Sequence, residues 1–167
     1  VAIQQNNLKR MLAYSSIAHA GYMLLALPVM STQGVYAVMI YLVMYLFMNL
    51  GAFFVVIAVK NKTGGETFDD YRGLGWEMPL VGVVMTIFMV SLTGLPPTAG
   101  FIGKFYIFAA LVKGGPQFYY LVILAGINSV ISLFYYLRVV KVMFLEGERS
   151  ETLVQPPAVM MGILLLT

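Results

Sequence analysis

The chain has 167 residues, 60% hydrophobic and 10% charged, with a net charge of +3 and a mean hydropathy of +0.87. Soluble domains carry about 25% charged residues, so this composition belongs to an integral membrane protein. No cysteine and one histidine exclude disulfides, thiolate metal sites, cysteine nucleophiles and histidine clusters, and the small positive charge reads as a topology signal rather than a nucleic-acid footprint.

The chain begins at Val1 without a methionine and shows no signal-peptide pattern. The first expected span is 8–27. It follows Asn6 and Asn7, good helix caps, and starts with Lys9 and Arg10, which suit a membrane interface. Inside it, offsets of three and four place Ser15, His19 and Tyr22 on one stripe, a polar face that must look toward protein or water. A polar turn leads to a second span, 35–59, whose notable non-apolar positions are Asn49 and Gly51. Lys60 and Lys62 close it. Residues 61–79 form the main extramembrane loop, with Glu66, Asp69, Asp70, Arg72 and Glu77, and with Tyr71 and Trp76 fit for an interfacial belt.

The region 80–112 is apolar on both sides of a break at 94–100 that contains Gly94, Pro96, Pro97 and Gly100. Next comes a span at 117–145 with Asn128, Ser129 and Ser132 within it. A truncated span starts near 158, so the chain reads as one membrane domain cut from a longer one. About 33 residues at 1.5 Å each reach about 50 Å, longer than a bilayer core of about 30 Å, which on length alone favours two crossings. Charge favours one. With a single broken crossing, Lys9, Arg10, Lys60, Lys62, Arg72, Arg138, Lys141 and Arg149 share one side, eight of the ten basic residues; with two crossings the split is six against three. The positive-inside rule selects the single, interrupted crossing.

Lys104 stands just past the break, and all seven acidic residues lie in loops. It reads either as a snorkelling interfacial lysine or as a buried titratable group, and lysine is the residue type that takes acid–base roles when buried. His19 reads either as a packing histidine or as a proton carrier. Lys9 reads first as a topology residue and second as a relay member. Ser129, Asn128 and Ser132 either line a hydrated path or join helices. The abundant tyrosines and methionines read as packing.

Asn7-Leu8-Lys9-Arg10-Met11-Leu12-Ala13-Tyr14-Ser15-Ser16-Ile17-Ala18-His19 resembles a helix of the antiporter-like membrane subunits of respiratory complex I, the NADH:quinone oxidoreductase. Gly94 to Phe105, Arg72-Gly73-Leu74 and Tyr135 to Lys141 resemble further motifs of that family, in the same order. The stretches GFIGKF and YYLR are most similar to its N-type paralogue. The resemblance implies an all-α membrane bundle with one discontinuous helix, the second half of an inverted-repeat fold.

It also implies relay roles for Lys104, His19 and Lys9, with Ser15, Tyr22 and Ser129 as candidate lining of a hydrated path. The family's central lysines and its glutamate–lysine pair belong to the first repeat, absent here. No cofactor is then expected on this chain; NADH, FMN, iron–sulfur clusters and quinone belong to partner subunits. Expected partners are paralogous antiporter-like subunits, small helical subunits and the lipid bilayer, with no nucleic acid. The expected setting is a bacterial inner membrane with the basic side cytoplasmic, or its organellar equivalent. A cation/proton antiporter or membrane-bound hydrogenase subunit of the same fold is the alternative, and a purely structural scaffold is the third reading.

Overall fold

A computed structural model describes residues 1–147; the truncated span expected from 158 and Arg149 lie outside the described residues. The described chain is helical. α1 (Leu8–Leu25) starts where the Asn7 side chain accepts a hydrogen bond from the Arg10 amide. α2 (Thr32–Thr63) starts where the Ser31 side chain accepts from the Gly34 amide, and it stops at Gly64, which is left-handed with φ of 80°. It is longer than the expected 35–59, because Ser31 caps it one turn earlier and nothing breaks it before Gly64. α3 (Leu74–Glu77), α4 (Pro79–Thr93), α5 (Ala99–Lys113) and α6 (Tyr119–Leu145) complete the set.

The stretch expected as a loop at 61–79 is partly ordered into short helices. Thr67 and Asp70 form a reciprocal capping box around the turn Phe68–Tyr71. Beyond Arg72 the Gly73 amide donates to the Val142 carbonyl (3.2 Å), and the Trp76 indole donates to the Phe144 carbonyl (2.8 Å). The segment therefore satisfies carbonyls that the end of α6 leaves free. It then bends by 118° into α4.

Three helical segments, Leu8–Val29, Thr32–Thr63 and Pro116–Leu145, are long and apolar enough to cross a membrane. α4 and α5 have 15 residues each, about 23 Å at 1.5 Å per residue, and neither alone reaches across a core of about 30 Å. They follow α2 in one continuous antiparallel course. The Phe88 ring fills the space over Gly51, Ser91 Oγ meets Met48 Sδ at 2.8 Å, Gly103 packs on Tyr41, and Gly114 lies against Val29, just ahead of α2. The break covers 94–98, so Gly100, expected within it, sits in the first turn of α5.

Apolar residues face both ways. Phe47, Phe54, Ile123, Ile127 and Phe134 point outward, while Val56, Met85, Met89 and Leu92 are fully buried. Helices apolar all round are the pattern of a membrane interior. Inside, one apolar cluster gathers Leu8, Val59, Val81, Met85 and Tyr136, and a second gathers Tyr22, Tyr41, Ile107 and Leu111. The first lies toward the charged end, where Glu66 pairs with Lys60 (2.9 Å) and Lys9 (3.7 Å), Arg72 with Asp69, and Lys141 with Glu146. Arg138 there donates to the carbonyls of Ile3 and Gln5 and stacks over Phe68.

Candidate functional site: an interrupted helix and its buried lysine

The site begins with the break. A helix end leaves its last carbonyls without intrahelical donors. At α4 the chain turns away at Gly94 (φ 84°), and the Thr93 carbonyl is left pointing inward. α5 then restarts so close to α4 that a Cβ on Gly100 would overlap the Ser91 carbonyl oxygen. The Pro96–Pro97 peptide within the break is cis.

Lys104, one turn into α5, is only 4% exposed. Its ammonium therefore does not reach the surface of the described residues. Its Nζ donates to the Thr93 carbonyl at 2.6 Å and to Ser129 Oγ of α6 at 2.9 Å, and it lies 4.7 Å from the centre of the Tyr22 ring of α1. A backbone carbonyl, a hydroxyl and an aromatic face all favour a cation, and a helix C-terminus adds partial negative charge. No carboxylate is among them. The lysine joins three helices through neutral groups alone.

Tyr22, Ser129 and Asn128, expected along a hydrated path, converge here. The Tyr22 hydroxyl accepts from Asn128 Nδ2 (3.2 Å) and donates to the Ala125 carbonyl (3.4 Å). Ser129 Oγ also lies 3.3 Å from the Thr93 carbonyl. Ser15 is buried, but its hydroxyl donates back to Leu12 of its own helix, as Ser132 does to Ser129.

His19 is one turn before Tyr22 and 2% exposed. Its Nδ1 lies 2.7 Å from the Tyr41 hydroxyl of α2, and its Nε2 lies 3.0 Å from the Tyr136 hydroxyl of α6. The ring stacks on Tyr45 and meets Tyr22 edge-on. Tyr41 belongs to one apolar cluster and Tyr136 to the other, so the imidazole joins the two. Lys9 is elsewhere: half-exposed at the start of α1, paired with Glu66, and about 15 Å along the helix from His19.

Tyr41 and Tyr136, read with the other tyrosines as packing, lie in the apolar clusters and also meet His19. Nothing local separates them from the nine other tyrosines, since what marks them is the His19 nitrogen each one meets. Asn49, the polar residue within α2, has its side-chain oxygen buried without a hydrogen-bond partner. Among the described residues no three His, Cys, Asp or Glu side chains converge as a metal site.

Comparison with known proteins places this geometry in context. Residues 1–147 match the family described as NADH:quinone oxidoreductase/Mrp antiporter, transmembrane. The chain is 58% identical to the NADH-quinone oxidoreductase subunit N 2 of Sorangium cellulosum over 153 residues, 90% of this chain and 30% of that protein. Among solved structures it is similar to a chain of the membrane-bound sulfane sulfur reductase, an archaeal respiratory membrane complex (TM-score 0.84, 31% identity, 99% of this chain and 33% of that one). It is also similar to a chain of respiratory complex I from Thermus thermophilus (TM-score 0.74, 36% identity, 99% and 38%). The chain thus spans about a third of the length of the proteins it matches.

Proposed function

Because the chain belongs to the NADH:quinone oxidoreductase/Mrp antiporter transmembrane family, we propose that it is the relay-bearing part of a proton-translocating membrane subunit of an NADH:quinone oxidoreductase. The observation that carries this reading is Lys104, buried beside an interrupted helix and held by the Thr93 carbonyl, Ser129 and the Tyr22 ring, with no counter-charge among the described residues. An ammonium in such a place is stabilised by dipoles only, so its charge depends on the surrounding field. A change of charge nearby shifts its proton balance, which is what a pump needs from an intramembrane residue.

In this reading Lys104 takes up and releases the proton, and His19 passes it on. Ser15, Tyr22 and Ser129 line the way, and Lys9, with Glu66 and Lys60, handles exchange at the charged end. The rest of the relay belongs to the two thirds of the subunit outside this chain. NADH oxidation and quinone reduction, with FMN and iron–sulfur clusters, take place in partner subunits. The other membrane subunits of the complex, paralogous and small, pack against the apolar outer face. The basic end faces the cytoplasm of a bacterial cell.

The likeness to the sulfane sulfur reductase favours one alternative, a respiratory membrane complex of the same architecture with another electron acceptor. The 58% identity to an NADH-quinone oxidoreductase subunit supports the first reading.

The test uses the full-length subunit in the assembled complex, reconstituted in vesicles. Lys104→Ala lowers proton pumping by about a hundredfold or more while electron transfer falls less, the loss expected for a removed proton-transfer group. Lys104→Arg, which keeps the charge but cannot release a proton, behaves like Lys104→Ala. Unchanged pumping in a fully assembled Lys104→Ala complex overturns the proposal.

A further inference from the structure

Three helices meet in one hydrogen-bonded group of buried polar rings: His19 from α1, Tyr41 from α2 and Tyr136 from α6. Tyr41 and Tyr136 are completely buried, so each phenol must find its partner inside the protein. Both find the same imidazole, one at each ring nitrogen, at 2.7 and 3.0 Å. A buried imidazole must satisfy both ring nitrogens, and a backbone carbonyl or amide at either one would fix its tautomer. This one has a hydroxyl at each end, and hydroxyls both accept and donate.

We infer that Tyr41 and Tyr136 are members of the proton relay, forming with His19 a phenol–imidazole–phenol wire whose direction is set by the imidazole tautomer. This rests on the proton-translocating reading above and names the residues that carry the proton past His19. In a neutral imidazole one nitrogen donates and the other accepts. With the proton on Nδ1, the ring donates to Tyr41 and accepts from Tyr136.

One passage then balances as follows. A proton arrives on the Tyr136 oxygen from a neighbouring hydroxyl or water, and Tyr136 gives its own proton to Nε2. Nδ1 releases its proton to the Tyr41 oxygen, and Tyr41 gives up its own to a water or hydroxyl on the far side. One proton enters and one leaves. The imidazole is left as the other tautomer, and the wire carries nothing more in that direction until the ring resets. Such a wire moves one proton per reset, and the reset is the flip of a ring held between two helices.

The surroundings fit this role. Tyr135 packs against Tyr136 at 4.5 Å between ring centres, and Tyr45, stacked on His19, donates to Ser16 (2.7 Å). The titratable groups facing His19 are Tyr22 on its own helix, Tyr41 and Tyr45 on α2, Tyr136 on α6 and, through space, Lys104 on α5. None is a carboxylate, so no fixed negative charge holds the imidazole in one protonation state.

The test again uses the full-length subunit in the assembled complex. Tyr41→Phe and Tyr136→Phe keep each ring and remove the hydroxyl. Each is expected to lower pumping about a hundredfold. Because the groups act in series, the double variant is expected to pump no worse than either single one. Additive losses, or unchanged pumping in both single variants, overturn the wire.

Replacing Tyr136 by a fluorinated tyrosine keeps both ring and hydroxyl but makes the phenol more acidic. The rate of pumping is then expected to change, because the phenol gives up its proton more readily and accepts one less readily, and an unchanged rate overturns the wire even if the phenylalanine variants fail to assemble. Loss of pumping in Lys104→Ala together with normal pumping in both phenylalanine variants overturns only this inference. Normal pumping in Lys104→Ala overturns the reading beneath it.

Discussion

Gly94 meets two demands at one position. Its φ of 84° lies in the left-handed region, and a Cβ there would sit 2.9 Å from Lys104 Cδ and 3.2 Å from Nζ. An alanine carries a left-handed penalty of about 1–2 kcal/mol and also pushes the ammonium away from the Thr93 carbonyl. Gly94→Ala is therefore expected to lower the thermal stability of the assembled complex and to slow pumping with it. If both are unchanged, the close fit of Lys104 against the break is wrong. At this scale Lys104 and His19 were legible from their rarity in apolar segments, and Gly94 from its place between two of them. The Thr93 carbonyl was not, because any residue type supplies a carbonyl and only the break frees this one.

Among the elements, the ends of α1 and α2 are tied by the segment between Gly64 and Arg72. The amide of Leu8 donates to the Glu66 carbonyl (2.8 Å), and the amide of Phe68 donates to the Asn6 carbonyl (3.0 Å). The Glu66 side chain meets Lys60, Lys9 and Asn7. The hydrogen bond from Lys60, then that from Asn7, holds the Glu66 carboxyl below its ordinary value of 4.5.

A depressed carboxylate contributes stability that is fully present above its unfolded pKa and is lost as pH falls through its folded pKa. The clamp is thus expected to hold at neutral pH and to release only below about pH 4.5. Hydrogen exchange of residues 64–72 against pH checks this; exchange that rises already between pH 7 and 5 rules out Glu66 as the fastener. The charges of this segment were legible in the sequence. Its short helices, which satisfy the end of α6, were not, because their partners lie some 70 positions further on, at Val142 and Phe144.

For the whole molecule, the course of α4 and α5 decides the topology. Their contacts run in order along α2, from Phe88 on Gly51 to Gly103 on Tyr41, which supports one interrupted crossing over a hairpin. The chain has no cysteine, so labelling that appears with a single introduced cysteine, over the background of the unsubstituted complex, reports on that position. Glu77→Cys and Lys113→Cys are expected to react with a membrane-impermeant thiol reagent from opposite sides of sealed vesicles. Labelling of both from the same side shows two crossings and overturns the single broken span.

Composition alone determined that this is a membrane protein. The motifs determined its family, and residue rarity determined which lysine and histidine to watch. Those properties are local, because transfer from water to lipid acts on each segment by itself and a Gly/Pro interruption acts on its own helix. Only the tertiary structure decided that Lys104 is buried with no carboxylate beside it among the described residues, that Lys9 is paired at the surface far from His19, and that two of eleven tyrosines close on one imidazole. These depend on where α1, α2, α5 and α6 cross. Crossing points are set by small residues, Gly51, Gly100 and Gly103, that let helices approach closely, and by partners too distant in sequence for any periodicity to register.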